Sequence, residues 1–328
     1  TAAGAGVATI KDTAGFSFNG QTGATATTTK GILPWALVDV TTTGLGTSFA
    51  TGDAAAATAT TANLRPLAAN EYSAVNTIAA NNNVLLTTGT TTAAANVAPN
   101  SLTIAGNANL SLNNGVILNL SSGGILVRAG SVSTISGGLI NQTNGFSPLN
   151  LWTVGDLTIT SPINGGQGIS NGAMAVIKAG AGTLTLAPVA TSLNGLSGFA
   201  HNSMNGQYVL NDGTLKAGTG LTNVFGALNY FAINGGTLDL NGTSQMVHGF
   251  FSDSVIGGAP GIVTSSTGTG HLLINSDNGA RNFAGSIQGA TKLTRSSANN
   301  LSFYSNNSAA SSNSTVKINL PSFKIPTH

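Results

Sequence analysis

Acid–base or metal chemistry needs two or more carboxylates, or a carboxylate and an imidazole, held within several Å of one another. This chain supplies few such groups: one glutamate, Glu71, eight aspartates, and histidines at positions 201, 248, 271 and 328. Two aspartate pairs are spaced so that a coiling chain could fold one over the other, Asp212 with Asp239 and Asp253 with Asp277. Asp212 precedes a glycine in a turn, whereas Asp239 falls inside an alternating stretch, so a shared site is disfavoured. Asp253 and Asp277 belong to polar segments, Phe251-Ser-Asp-Ser254 and Asn275-Ser-Asp-Asn278, and read as solvated turns. The histidines lack a His-x-x-x-His spacing. Trp35 and Trp152 could stack on sugars but read better as packing or interface anchors. Asn164-Gly-Gly-Gln-Gly168 is glycine-rich, yet no lysine follows it and no helix opens there, as a phosphate loop requires. We expect no catalytic residue, no metal site, no cofactor and no enzymatic activity.

The elements that must position these residues are strands. Of 328 residues, 41% are hydrophobic and only 6% charged, against roughly a quarter charged in an ordinary soluble domain. Thr, Ser, Asn and Gly must then carry solubility, and a surface of low net charge lacks the repulsion that keeps copies apart. The net charge of +2 comes from 11 bases against 9 acids, and 5% of residues are aromatic. Nucleic-acid binding wants clustered Lys/Arg with aromatics, so no nucleic-acid partner is expected. The chain has no cysteine, and no apolar run reaches the roughly 18 residues of a membrane helix. From Ser101, short alternating stretches such as Leu102-Thr-Ile104, Val116-Ile-Leu-Asn-Leu120 and Ile125-Leu-Val127 alternate with Asn-Asn-Gly and Ser-Gly-Gly turns. Strands of three to five residues at this beat predict stacked coils and little helix.

Three segments repeat one pattern: Gly182-Thr-Leu-Thr-Leu186, Gly213-Thr-Leu-Lys-Ala217 and Gly236-Thr-Leu-Asp-Leu240. Side chains alternate in direction along a strand, so Leu184, Leu215 and Leu238 should form one inward ladder and Leu186, Ala217 and Leu240 a second. Thr183, Thr214 and Thr237 then face outward. In the same register Lys216 and Asp239 occupy equivalent outward positions, and adjacent coils would bring them roughly 4.8 Å apart along the axis as a cross-coil ion pair. Asparagines at corners, among them Asn113-Asn114, Asn211, Asn234 and Asn241, suit turn conformations and can bond from coil to coil.

In their longer context, Ile177-Lys-Ala-Gly-Ala-Gly-Thr-Leu-Thr-Leu186, Tyr208-Val-Leu-Asn-Asp-Gly-Thr-Leu-Lys-Ala-Gly218 and Phe231-Ala-Ile-Asn-Gly-Gly-Thr-Leu-Asp-Leu-Asn-Gly242 resemble the autotransporter-associated β-strand repeat family, also called the passenger-associated transport repeat. The resemblance is tight over about residues 172–242. Leu293-Thr-Arg-Ser-Ser-Ala-Asn-Asn-Leu-Ser-Phe303 keeps the cation and the apolar positions without the glycines. Gly31-Ile-Leu-Pro-Trp-Ala-Leu-Val38 and Arg65-Pro-Leu-Ala-Ala-Asn-Glu-Tyr72 look like the stretch that precedes such repeats in large bacterial surface proteins. The resemblance implies a right-handed parallel β-helix exposed outside a bacterial cell.

Three regions follow. Residues 1–30 form a Thr/Ala/Gly-rich arm that pairs along its own solenoid or exchanges as a strand with a neighbour. Residues 31–99 form an irregular β-rich capping region, with a brief helix near Ala68 to Ala74. Residues 100–328 form the all-β right-handed parallel β-solenoid, with 172–242 as its repeat core. The chain begins at Thr1 and reads as a mature product, extracellular or at the cell surface after removal of a signal peptide. The expected function is a non-enzymatic structural subunit of an extracellular bacterial fibre or surface layer. It would assemble end to end through solenoid edges, with copies of itself as partners. An autotransporter passenger-type adhesin, with cell-surface or matrix glycans as partners, is the alternative, and a carbohydrate-active β-helix enzyme the second alternative.

Overall fold

The structure, a computed structural model, describes residues 9–11, 18–39, 41–53, 61–142, 148–165, 175–189, 191–193, 196–199, 206–253, 260–274, 281–296 and 301–303. The expectations for Asp277, His201, His328, residues 297–300 and the C-terminal stretch 316–328 lie outside the described residues.

Two long parallel sheets carry the fold. The first stacks Asn83–Leu86, Ser101–Ile104, Gly124–Val127, Leu149–Thr153, Ala175–Ala179, Gln207–Leu210, Tyr230–Ile233 and Gly249–Phe251. The second runs from Thr90–Ala93 through Asn109–Asn119, Val132–Gln142, Asp156–Ile159, Thr183–Leu186, Thr214–Ala217, Thr237–Asp239 and Ile262–Thr264 to Ser286–Ile287. Parallel neighbours need a long crossover. Here the crossover from one strand to the next in a sheet is the facing wall, because the chain visits the two sheets in turn. The result is a parallel β-solenoid. A third sheet, Ser244–Val247, Gly270–Ile274 and Thr291–Arg295, joins the wall toward the C-terminal end. Among the described residues the one helical element is a 3-10 turn at Ala69–Glu71.

Alternation decides which side chains fill the interior. Leu157, Leu184, Leu215, Leu238, Val263 and Ile287 follow one another in register along the second sheet. Leu110, Ile135, Ile159, Leu186 and Ala217 form a second row beside them. Each fully buried aliphatic side chain contributes about 1.5–3 kcal/mol. On the facing wall Tyr208, Phe231 and Phe250 are in register. Phe225 wedges edge-on between the first two, its ring centroid 5.7 Å from Tyr208 and 5.2 Å from Phe231.

Glycine opens each repeat for a reason of space. Thr214 donates its backbone N–H to Gly182 O and Thr237 donates to Gly213 O, so the corner backbones touch from coil to coil. A Cβ on Gly236 would meet the Gly213 carbonyl, and one on Gly213 would meet the Gly182 carbonyl, while both residues hold φ near +68°. No side chain fits that column.

The region expected to be irregular contains an antiparallel sheet, in the order Thr9–Lys11, Thr61–Pro66, Ser48–Gly52, Leu33–Val38. It lies on the outer face of the first parallel sheet. Ile32, Phe49, Leu67 and Tyr72 cluster on Leu126, with Leu85, Trp152 and Val154 packed beside them. Leu126, at an outward position, is therefore fully buried. Gly124 leaves room for the Phe49 ring, which a Cβ there would meet at 2.9 Å.

The described part of the N-terminal arm pairs within its own chain, Thr9–Lys11 against Thr61–Asn63. With residues 73–78 it also covers the end strand of the first sheet. Asn83 donates its backbone N–H to Thr28 O at 2.7 Å, and Asn83 O and Leu85 O accept from Ser73 and Asn76 at 2.8 and 2.9 Å. Ile78 packs against that end of the core. The first strand of the second sheet, Thr90–Ala93, is paired on one side only among the described residues.

Candidate functional site

The described carboxylates considered for chemistry have separate partners. Asp212 Oδ1 accepts from Gly213 N at 2.7 Å. Asp239 Oδ1 accepts from Asn241 N at 2.9 Å and from Ser266 N at 2.8 Å. Burial alone would raise the Asp239 carboxyl, but the bonds from Ser266, Asn241 and Lys216 outweigh it and hold it below its ordinary value. Asp253 is exposed and accepts from Gln207 Nε2 at 3.3 Å. His271 Nε2 lies 2.8 Å from Thr294 Oγ1, and His248 packs on Tyr230. Among the described residues no group of three or more His, Asp or Glu side chains could hold a metal ion. No helix there is long and apolar enough to cross a membrane. Trp35 is 55% exposed. Trp152 donates its Nε1 to Pro34 O at 2.9 Å and thereby pins the antiparallel sheet to the solenoid.

The repeat residues stand as follows. Thr183, Thr214 and Thr237 are mutual Cα partners and half-buried. Leu184, Leu215 and Leu238 are partners and buried, as are Leu186 and Ala217. Leu240 is buried one residue beyond its strand. Lys216 and Asp239 are Cα partners with Nζ 3.3 Å from Oδ2. The surface expected around that pair is only half present. The Asp239 side chain is 5% exposed, against 29% for Lys216, because the turn at Ser266 lies over the carboxylate. At the corner above, Asn234 Nδ2 donates to Asn211 Oδ1 at 3.1 Å and Asn234 Oδ1 accepts from Asp253 N at 2.9 Å. Amides thus bond from coil to coil.

Three features were not singled out by sequence spacing. The first joins Arg65 to Asp53 and Glu71. Arg65 Nε and Nη2 donate to Asp53 at 2.9 and 2.7 Å, and Nη1 and Nη2 donate to Glu71 at 2.6 and 2.7 Å. Glu71 also accepts from Ala26 N and Ala68 N at 3.0 and 2.9 Å. Burial by itself would raise the Glu71 carboxyl, yet these donors keep it below 4.5. The Arg65 bonds bring Asp53 down to about 2. A shallow cleft of about 390 Å³ opens beside Arg65, Asn70 and Thr25, but the charges along it are already matched within the chain. Its bonds tie arm, antiparallel sheet and 3-10 turn together.

The second is Lys178, at an inward position between Leu151 and Leu210 in the first sheet. It is 1% exposed, and its Nζ donates to the carbonyls of Ala179, Gly180 and Asp212 at 3.2, 2.5 and 2.8 Å. Burial lowers its ammonium from 10.5 to about 8, with Asp212 and Asp156 opposing the shift. A lysine in a core position signals such a cage only when its neighbours in space are known.

The third lies outside. Tyr230 and Phe251 stand on the outer face of the first sheet, with Arg281 over both rings.

No family model, curated protein or solved structure matches the chain.

Proposed function

We propose that the chain is a non-enzymatic structural solenoid of an extracellular bacterial fibre or surface layer, in which copies join through unpaired strand edges. The observation that supports this most directly is Thr90–Ala93. The strand ends the second sheet, it is paired on one side only among the described residues, and its outward Thr90 and Thr92 are exposed and uncharged. Natural sheets usually block such an edge with charge, proline or a bulge. The charges that could do chemistry support the scaffold reading as well, because Asp239 and Lys178 bond from coil to coil and Glu71 and Asp53 tie the arm and antiparallel sheet together through Arg65. The resemblance of residues 172–242 to autotransporter-associated repeats supports the surface location.

A second reading, a passenger-type rod displayed singly, is supported by the closed edge at Asn83–Leu86, where Ser73, Asn76 and Thr28 occupy the backbone groups a neighbour would need. Sedimentation velocity separates the two. Thr90→Lys/Thr92→Lys places charge on the open edge without touching the core. The scaffold reading expects concentration-dependent assemblies of the parent chain that this variant loses. Monomers of both at every concentration favour the rod.

A further inference from the structure

Away from the antiparallel sheet, the outer face of the first parallel sheet carries a patch that joins aromatic rings to charged side chains. Tyr230 and Phe251 are half-buried there, with ring centroids 6.3 Å apart and planes at 70°. The Arg281 guanidinium carbon is 5.1 Å from the Tyr230 centroid and 4.6 Å from that of Phe251. His248 sets its ring edge-on to Tyr230 at 4.4 Å. Gln207, the Cα partner of Tyr230 on the adjoining strand, reaches Asp253 at 3.3 Å. Asp253 is itself held by its backbone bond to Asn234. Phe251 continues the outward row Ile177, Val209, Ala232, whereas Arg281 reaches both rings from a strand of another sheet.

We propose that this patch is a saccharide-binding site. Aromatic rings offer apolar area with little conformational freedom to lose, which suits the C–H face of a pyranose. The planar carboxylate of Asp253, the amide of Gln207 and the fork of Arg281 each present paired hydrogen-bonding atoms, and paired atoms match adjacent hydroxyls. Arg281, steadied against two rings, also suits a sugar carboxylate. One arginine in a patch that also holds the carboxylate of Asp253 is not the basic stripe that nucleic acid needs. The site goes beyond the scaffold reading; it would give the displayed rod its ligand class, while its test depends on neither reading.

The test is calorimetric titration of the full chain with two probe sets, neutral hexose oligomers (cellohexaose, mannohexaose) and uronic oligomers (tetragalacturonate, alginate hexamer). Saturable binding of at least one probe is expected, weakened about tenfold or more by Tyr230→Ala and by Asp253→Asn, as for truncation of a binding anchor. Asp253→Asn changes an exposed residue and keeps the fold available if the tyrosine variant is impaired, and Lys216→Ala, outside the patch, should bind as the parent does. A preference for uronic probes that Arg281→Gln erases would assign the carboxylate-bearing class, and binding of neutral probes alone the neutral class. No binding of any probe up to about 10 mM, or binding unchanged in both Tyr230→Ala and Asp253→Asn, overturns the proposal.

Discussion

Lys216 and Asp239 face one another across a single coil step, with Nζ 3.3 Å from Oδ2, but the two residues depend on that contact unequally. Asp239 also accepts the backbone N–H groups of Asn241 and Ser266 and is almost fully buried, whereas Lys216 keeps much of its water. Lys216→Ala should therefore cost less than about 1 kcal/mol, the scale of a partly exposed pair. Asp239→Ala leaves two donors unmatched and should cost about 2–3 kcal/mol. Denaturant midpoints of the two variants check this, and equal losses would mean that the ion pair itself dominates.

The glycine column can be isolated by a matched pair of substitutions. Gly213 and Gly220 share a left-handed backbone, φ +68° and +71°, but a Cβ at Gly213 would meet the Gly180 and Gly182 carbonyls while one at Gly220 has nothing within 4 Å. Gly220→Ala should show only the backbone penalty, about 1–2 kcal/mol. Gly213→Ala should exceed it by about 1–3 kcal/mol, because the corner must shift. Thermal unfolding of both variants measures the difference, and equal losses would deny the stacking of the corners.

The Lys178 cage makes stability rise with alkali. Its folded pKa, about 8, lies below the ordinary 10.5, so between those values the unfolded chain holds a proton that the folded chain has released. Stability then increases with pH across that window. Lys178→Met should remove this slope. It should also lower stability by about 1–3 kcal/mol, since the Ala179, Gly180 and Asp212 carbonyls lose their donor. Urea unfolding of both proteins at intervals from about pH 8 to pH 10 tests the sign, and a slope retained in the variant would exclude Lys178 as its source.

Acid should loosen the antiparallel sheet. The Glu71 carboxyl is held below 4.5, so its contribution is complete above that value and is lost as pH falls through the depressed folded value. Trp152, hydrogen-bonded to Pro34 O, lies where that sheet meets the solenoid. Its fluorescence should move to the red on acidification, and Glu71→Gln should show part of that shift already at neutral pH. An identical neutral spectrum in the variant would show that the Arg65 bonds do not hold the sheet.

The solenoid was legible in the chain because its signal is local. A Gly-Thr-Leu pattern states strand, turn and inward face at once, and Leu184, Leu215 and Leu238 could be aligned from spacing alone. Leu157 in Asp156–Ile159 belongs to the same ladder and follows Gly155, but Asp156 stands where the pattern has threonine, so the pattern passes it by. The antiparallel sheet was not legible. Its apolar residues, Ile32, Phe49, Leu67 and Tyr72, are scattered among Ala/Thr tracts and acquire a common face only against Leu126. Likewise Glu71 with the arm at Ala26, and Tyr230 with Arg281, are joined by topology, which brings residues from different coils or loops together without leaving a spacing rule in the chain.

The most direct measurement of the scaffold account is electron microscopy of the purified chain over a concentration series, with diffraction from aligned material. Unbranched filaments are expected, with the strand spacing of about 4.8 Å running along the filament axis, and Thr90→Lys/Thr92→Lys should lose them. Dispersed single rods of the parent chain at every concentration would contradict the scaffold account.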